Sequence, residues 1–208
     1  LVTGVQTCAL PIFMNNFTYS VPTKIHFGKG QISHLYELSE SGNKVLLCYG
    51  GGSIKKAGIY DEAVKILKEE DIEIFELSGI APNPKIESVR EGVKLCKEND
   101  IDMVLAIGGG SVIDCAKVVA AGACYDGDPW DLVITPRWIK KALPIYSVLT
   151  LSATGSEMDP FAVISDMSKN EKWGTSSEHM KPKMSILDPE YTYSVSKKQT
   201  AAGTADMI

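Results

Sequence analysis

The fold is decided by the stretch Ile107-Gly108-Gly109-Gly110-Ser111-Val112-Ile113-Asp114. It predicts a buried strand that ends in three glycines, followed by a helix with Ser111 as N-cap and Asp114 at the third helical position. Glycines let the backbone approach a ligand, and a helix N-terminus presents unpaired N–H groups and the positive end of its dipole. The pattern favours a phosphate-binding turn, with a plain tight turn as the alternative. It is neither Gly-x-Gly-x-x-Gly nor a Walker loop, because Ile113 stands at the last glycine position and no Gly-Lys-Ser/Thr follows.

Short β-branched runs and helical patterns alternate along the chain on both sides of this turn. We expect strands at 24–27, 44–49, 73–77, 103–107, 145–149 and 183–187, and helices at 55–70, 86–98 and 112–122. Such alternation is typical of βαβ units, so the predicted fold class is α/β with a parallel sheet. The run 103–107 is apolar throughout, which predicts a central strand covered on both faces.

The remaining segments set the expected domain boundaries. Residues 159–173 mix β-branched and turn residues and predict a hairpin, and Ser196-Lys197-Lys198-Gln199 is a capping-box signature for a helix that runs past Asp206. We therefore divide the chain into an α/β domain at 14–195 and the start of a helical domain at 196–208. Residues 1–13 carry no charge and precede Met14, so we expect them to be a non-native artefact and the chain to be cut at both ends.

Composition excludes several classes of protein. The chain has 208 residues, of which 44% are hydrophobic and 23% charged, as in an ordinary globular domain. A net charge of −5 argues against a nucleic-acid partner, and no apolar run approaches the ~20 residues that a membrane span needs. The five cysteines include no Cys-x-x-Cys pair, so we expect neither a disulfide framework nor a zinc knuckle and favour a cytoplasmic location.

Two other loops carry candidate binding groups. The run Tyr49-Gly50-Gly51-Gly52-Ser53 follows a predicted strand and precedes Lys55 and Lys56. A carboxylate at such a strand tip would accept a hydrogen bond from a ribose 2′-hydroxyl. This loop offers instead the Ser53 hydroxyl, the backbone amides of its glycines and the ammonium groups of two lysines, all of which can bind a 2′-phosphate. The loop therefore favours NADP over NAD. A flexible loop with solvated lysines is the alternative. The third loop, 149–157, is rich in hydroxyls and is weak evidence by itself.

Three further motifs accompany these runs: Phe27-Gly28-Lys29-Gly30, Pro82-Asn83-Pro84 and Leu187-Asp188-Pro189. With them, the chain resembles the iron-containing (group III) alcohol dehydrogenases, and within that family the NADPH-dependent butanol dehydrogenase branch. The resemblance covers 14–208. It implies a dinucleotide-binding α/β domain of dehydroquinate synthase-like architecture, then an all-helical domain, with the active site in the cleft between them. It also implies assembly, for which a homodimer through edge strands near the N-terminus is the expectation.

The resemblance further implies roles for individual residues. It places the pyrophosphate on Gly108, Gly109, Gly110 and Ser111 with Asp114 nearby, the adenosine end on Gly51, Gly52, Ser53 and Asn83, the nicotinamide side on Thr150 and Thr154, and the cofactor groove along Lys172 and Tyr191. Asp206 matches the first of four metal ligands. The next ligand, a histidine four residues later, would lie beyond this chain.

Some positions depart from the family pattern. Ser152 and Ser196 stand where proline is usual, and Asp159 stands where a neutral amide is common, so its charge leaves the local contacts open. The chain's own histidines at 26, 34 and 179 match no ligand position, and we interpret them as structural or surface residues.

The resemblance thus implies an oxidoreductase that moves a hydride between NADP(H) and a small alcohol or aldehyde, with Fe²⁺ or Zn²⁺ as Lewis acid. We name no catalytic residue in this chain, and we expect it to bind cofactor without turnover. Two alternatives stay open: a metal-dependent cyclase or lyase resembling dehydroquinate synthase, and a non-catalytic nucleotide-binding module.

Overall fold

A computed structural model describes residues 20–206, with the backbone alone at Asp206. The strands are β1 (Lys24–Phe27), β2 (Lys44–Tyr49), β3 (Glu73–Leu77), β4 (Met103–Gly109), β5 (Ile145–Leu151), β6 (Phe161–Asp166), β7 (Glu171–Ser176) and β8 (Met184–Leu187). All except β6 and β7 form one parallel sheet in the order β1-β8-β5-β4-β2-β3. The helices are α1 (Ser53–Lys56), α2 (Ile59–Glu69), α3 (Ile86–Asn99), α4 (Gly110–Ala123), α5 (Pro129–Ile134) and α6 (Lys197–Asp206). The predicted α/β class and parallel sheet are confirmed.

Two predicted elements differ from the structure for local reasons. The helix expected at 55–70 is interrupted between α1 and α2, because Gly58 adopts a left-handed φ of 77° that no continuous helix contains. The hairpin expected at 159–173 forms as β6 (Phe161–Asp166) and β7 (Glu171–Ser176), so its second strand continues three residues further.

Several elements were not predicted, among them three short 3-10 helices at Pro136–Trp138, Glu178–Met180 and Pro189–Thr192. Two longer ones bear on the core. A 3-10 helix spans Gln31–Ser41 and buries Ile32, Leu35 and Leu38, whose spacing of three residues matches one turn of that helix. Helix α5 begins after Asp128, whose side chain accepts a hydrogen bond from the Trp130 N–H. The predicted helix start after Ser196 is confirmed, since the Ser196 hydroxyl accepts from the Gln199 N–H at 3.3 Å and α6 follows. Half of the capping box forms, because the Gln199 side-chain oxygen pairs with the Ser196 hydroxyl at 3.4 Å instead of with the Ser196 N–H. Residues 1–19, which include the artefact expected at 1–13, and residues 207–208 lie outside the described part of the chain.

The sheet is covered on both faces. Along β4, Val104 and Ala106 join a core with α3, α4 and α5, while Met103, Leu105 and Ile107 join a second core with α2 and the 3-10 helix. This confirms the prediction of a central strand without a solvent face. Between residues 20 and 206, none of the helices is long and apolar enough to cross a membrane.

Alkaline pH should destabilise the fold through three buried thiols. Burial raises the pKa of Cys96 and of Cys115 to about 12, and it also raises that of Cys48. A raised native pKa favours folding below the unfolded value near 9, and this contribution is lost as pH rises from there toward 12. From pH 8 to 10.5, we expect Cys96→Ala/Cys115→Ala to lose roughly 4 kcal/mol less unfolding free energy than wild type, about 2 kcal/mol for each thiol, in urea titrations with reductant. Equal losses would contradict burial of these thiols.

Candidate nucleotide-binding site

The glycine turn joins the central strand directly to a helix. Gly108 and Gly109 continue the ladder with β5, with an irregular register between them, and α4 begins at Gly110. The N-cap is therefore Gly109, and no side chain caps the helix. The prediction that Ser111 is the N-cap is wrong, because strand pairing extends two residues further than expected and leaves Ser111 inside the first turn. The uncapped N–H groups of that turn remain available to an anion.

A cavity of about 400 Å³ opens at this turn. It lies where β2 and β4 are neighbours in the sheet but send their connections to opposite faces, α2 to one and α4 to the other. Such a switch point is where open α/β sheets bind their ligands. Among the described residues that line the cavity none is charged, so its binding groups are backbone amides and hydroxyls.

Many of the predicted site residues come together at this cavity. The lining includes Gly51, Ser53, Gly109, Gly110, Ser111, Thr150 and Tyr191. Gly52 and Gly108 belong to the same two glycine runs without lining it. The Thr154 hydroxyl stands 3.3 Å from the place where a Cβ on Gly110 would lie. Their individual roles stay predictions.

Asn83 and Lys172 form a pair beside the cavity. The Asn83 N–H donates to the Ser111 hydroxyl at 3.3 Å, and the Lys172 ammonium donates to the Asn83 side-chain oxygen at 2.7 Å. Both side chains are exposed, and neither lines the cavity. This pair connects the hairpin β6–β7 to the start of α4.

Asp114 holds a loop. It is the fifth residue of α4, and its carboxylate accepts hydrogen bonds from the Ser156 hydroxyl at 2.6 Å and from the Val163 N–H at 3.0 Å. Its predicted place at the third helical position is wrong, because the helix begins earlier than expected. Burial raises the pKa of this carboxyl, although both hydrogen bonds oppose the shift.

A buried lysine that was not predicted from the sequence lies behind this loop. The fully buried Lys117 ammonium donates to the Ser156 hydroxyl at 3.0 Å, the Asp159 carboxylate at 2.8 Å and the Phe161 carbonyl at 2.8 Å. The contacts of Asp159 that the sequence left open are therefore an ion pair with Lys117. The available signal was the spacing of Asp114 and Lys117, three residues apart and so on one face of α4.

A carboxylate that was also not predicted lies near the glycine run that follows β2. Glu76 on β3 accepts hydrogen bonds from the hydroxyls of Tyr49 and Tyr60, and it lies 3.6 Å from the Lys55 ammonium. That ammonium also stands over the Tyr49 and Tyr60 rings, at 4.9 and 4.2 Å. The hydrogen bond to Glu76 raises the pKa of Tyr60 to about 12. Lys55 is thus engaged with protein groups instead of standing free for a ligand phosphate.

The described residues do not build a metal centre at this cavity. Asp206 ends α6, but its side chain lies outside the described part of the chain, and one carboxylate alone does not hold a metal against water. Within 20–206, His26, His34 and Glu37 form a group of side chains that could ligate a metal. His26 lies on edge strand β1, and His34 and Glu37 lie on the 3-10 helix Gln31–Ser41. Strand β1 is three strands, or about 14 Å, away from β4. There the Lys24 ammonium already pairs with Glu37 at 2.6 Å, and the two imidazoles stack.

Comparisons with known proteins agree on one family. The family model described as iron-containing alcohol dehydrogenase matches residues 22–189. The NADH-dependent butanol dehydrogenase A of Clostridium acetobutylicum is 59% identical over 196 residues, which cover 94% of this chain and 50% of that protein. The NADPH-dependent aldehyde reductase YqhD of Escherichia coli is 44% identical over 93% of this chain and 50% of that protein.

Solved structures give the same result. The crystal structure of NADH-dependent butanol dehydrogenase A from Thermotoga maritima superposes with a TM-score of 0.90 at 50% identity, over 93% of this chain and 49% of that one. The chain therefore spans about half the length of the relatives that it matches.

Proposed function

Because the chain belongs to the iron-containing alcohol dehydrogenase family, we propose that the complete protein transfers a hydride between NADP(H) and a small alcohol or aldehyde. The observation that carries this proposal is the uncharged cavity at the switch point between β2 and β4, closed on one side by an uncapped helix N-terminus. A dinucleotide needs N–H donors for its pyrophosphate and an opening for its two nucleoside ends, and this cavity offers both.

Each part of the cavity has a task in this proposal. The first turn of α4 binds the pyrophosphate, and the loop Gly51–Ser53 receives the adenosine end. Thr150 and Thr154 orient the nicotinamide, while Val195 and the α6 residue Gln199 cover the opposite wall and exclude water. In the complete protein we expect a divalent metal, Fe²⁺ or Zn²⁺, with Asp206 as the ligand from this chain. Such a metal supplies Lewis-acid polarisation of the substrate oxygen.

The preference for NADP(H) is the finer part of the proposal. It is supported by the Ser53 hydroxyl and by the lack of a carboxylate among the described residues that line the cavity. The pairing of Lys55 with Glu76 removes one of the two ammonium groups on which the preference was first based. The names of the relatives specify different cofactors: NADH for the butanol dehydrogenase and NADPH for the aldehyde reductase.

Replacing Ser53 with aspartate should reverse this preference. The new carboxylate would repel a 2′-phosphate and accept a hydrogen bond from a ribose 2′-hydroxyl. We expect the dissociation constant for NADPH to rise about 10-fold or more and that for NADH to stay within about 3-fold, measured by calorimetry on this chain. Ser53→Asn is the neutral control and should leave both values near those of wild type. A wild-type chain that binds NADH more tightly than NADPH would overturn the NADP(H) assignment.

Turnover by the complete protein separates the two alternatives. Oxidation of butanol with NADP⁺ supports the proposal, whereas cyclisation or elimination without net change in the cofactor would identify the dehydroquinate synthase-like reaction. Cofactor binding without either reaction, in a metal-loaded complete protein, would leave a non-catalytic nucleotide-binding module. For the 208-residue chain alone we propose binding without turnover, a cytoplasmic setting and pairing of two copies through edge strand β1.

A further inference from the structure

Lys117 is buried in α4 behind the loop 152–160, and its hydrogen bonds go to Ser156, Asp159 and Phe161, none of which we expect to meet the cofactor's phosphates. We propose that it is a positioning residue, whose ammonium holds the loop 152–160 against α4 and so keeps the nicotinamide half of the cavity in shape. This inference rests on the proposed function. It concerns a residue that the resemblance left without a role.

The loop 152–160 has no helix or strand of its own. It follows Thr150 and Leu151, which line the cavity, and it carries Thr154 close to Gly110. Within the described chain, two side chains of α4 anchor this loop, since Asp114 binds the Ser156 hydroxyl and Lys117 binds both Ser156 and Asp159. A third anchor comes from β8, where the Ser185 hydroxyl donates to the Glu157 carbonyl at 2.7 Å. The helix that begins at the glycine turn therefore also fixes the loop opposite that turn.

The Lys117 ammonium has a fixed geometry because all three of its N–H donors are used. They point to the Ser156 hydroxyl in the middle of the loop, the Asp159 carboxylate near its end and the carbonyl of Phe161, the first residue of β6. A fully buried ammonium must keep such acceptors, since an unpartnered buried charge is very costly. The three acceptors and the loop that carries them are therefore held in one arrangement.

The adenosine half of the cavity has no such dependence. Gly51 and Ser53 follow β2, on the other side of the glycine turn, and Lys117 makes no hydrogen bond to that loop among the described residues. Loss of the Lys117 ammonium should therefore weaken binding of a whole dinucleotide and spare binding of its adenosine half. A general loss of structure would weaken both together.

The test compares two ligands on Lys117→Met, which shortens the side chain by one atom and removes its charge. We expect the dissociation constant of NADPH to rise about 10-fold, and that of 2′,5′-ADP, which lacks nicotinamide, to change by less than about 2-fold. Fluorescence of the bound reduced nicotinamide should shift toward that of free NADPH. Lys169→Met, at an exposed lysine 3.7 Å from Asp166, is the matched control and should change neither ligand.

The inference is overturned if Lys117→Met weakens both ligands by the same factor or weakens neither. If that variant does not fold, Asp159→Asn decides the matter, since Asp159 is partly exposed and the amide still accepts a hydrogen bond. It should weaken NADPH about 3-fold and leave 2′,5′-ADP unchanged, and no selective loss would again overturn the inference. If the wild-type chain binds none of 2′,5′-ADP, NADPH and NADH, the proposed function itself has failed, and this inference fails with it.

Discussion

Replacing Ser111 with aspartate should abolish dinucleotide binding while leaving helix α4 at least as stable as before. Ser111 lines the cavity in the first helical turn, where we place the pyrophosphate. A carboxylate there would stand within a few ångströms of two phosphate charges in a partly enclosed site, where repulsion amounts to several kcal/mol. We therefore expect the dissociation constant for NADPH to rise about 100-fold or more.

The same substitution separates binding from folding. A negative charge in the first turn of a helix interacts favourably with the helix dipole, so the free energy of unfolding should stay equal or rise by about 0.3–1 kcal/mol. The aspartate can also accept the hydrogen bond that the Asn83 N–H now donates to Ser111. Calorimetry and urea unfolding on the same samples measure the two effects.

Ser111→Asn is the neutral control for shape. It places an amide of nearly the same size beside the cavity and should reduce affinity only a few-fold. If the asparagine and aspartate variants bind NADPH equally well, the pyrophosphate does not lie at the first turn of α4. The central observation behind the proposed function would then be lost.

The sequence was sufficient for those parts of the fold that local patterns control. Short apolar runs predict all six strands of the sheet. The reason is strongest for the inner strands β2, β4, β5 and β8, because a run that is apolar on both faces must lie between two layers. The glycine run at the end of β4 predicts a binding turn because glycine lets the backbone approach a ligand closely. The 3-10 helix Gln31–Ser41 was not predicted, because its apolar residues recur every three positions and this period fits neither a strand nor an α-helix.

The parts of the site that the sequence did not predict depend on contacts between distant segments. Lys117 meets Ser156 and Asp159 across about 40 residues of sequence, and no local pattern indicates that a lysine in α4 is buried. Glu76 approaches Lys55 only because β3 pairs with β2. Ser111 was misplaced by two residues at a helix start, where strand pairing with β5 and not propensity decides the boundary.

Replacing Gly108 with valine should destabilise the chain by about 3 kcal/mol, because the side chain has no room. A Cβ on Gly108 would lie 2.6 Å from a γ-carbon of Val112 and 2.8 Å from its Cβ. Val112 is a buried, β-branched residue in the first turn of α4, so it cannot rotate away without moving the helix. The helix N-terminus would therefore shift from the turn, and NADPH binding should weaken together with stability.

Gly174→Val is the matched control, since nothing lies within 4 Å of a Cβ at that position in strand β7. Its free energy of unfolding should stay within about 0.5 kcal/mol of the wild-type value in urea titrations. Combining Gly108→Ala with Val112→Ala should recover part of the loss caused by Gly108→Ala alone, because the γ-carbon is gone while the Cβ contact remains. A Gly108→Val chain as stable as wild type would mean that α4 is not packed this closely on β4. In that case the shape of the cavity would not depend on a glycine at position 108.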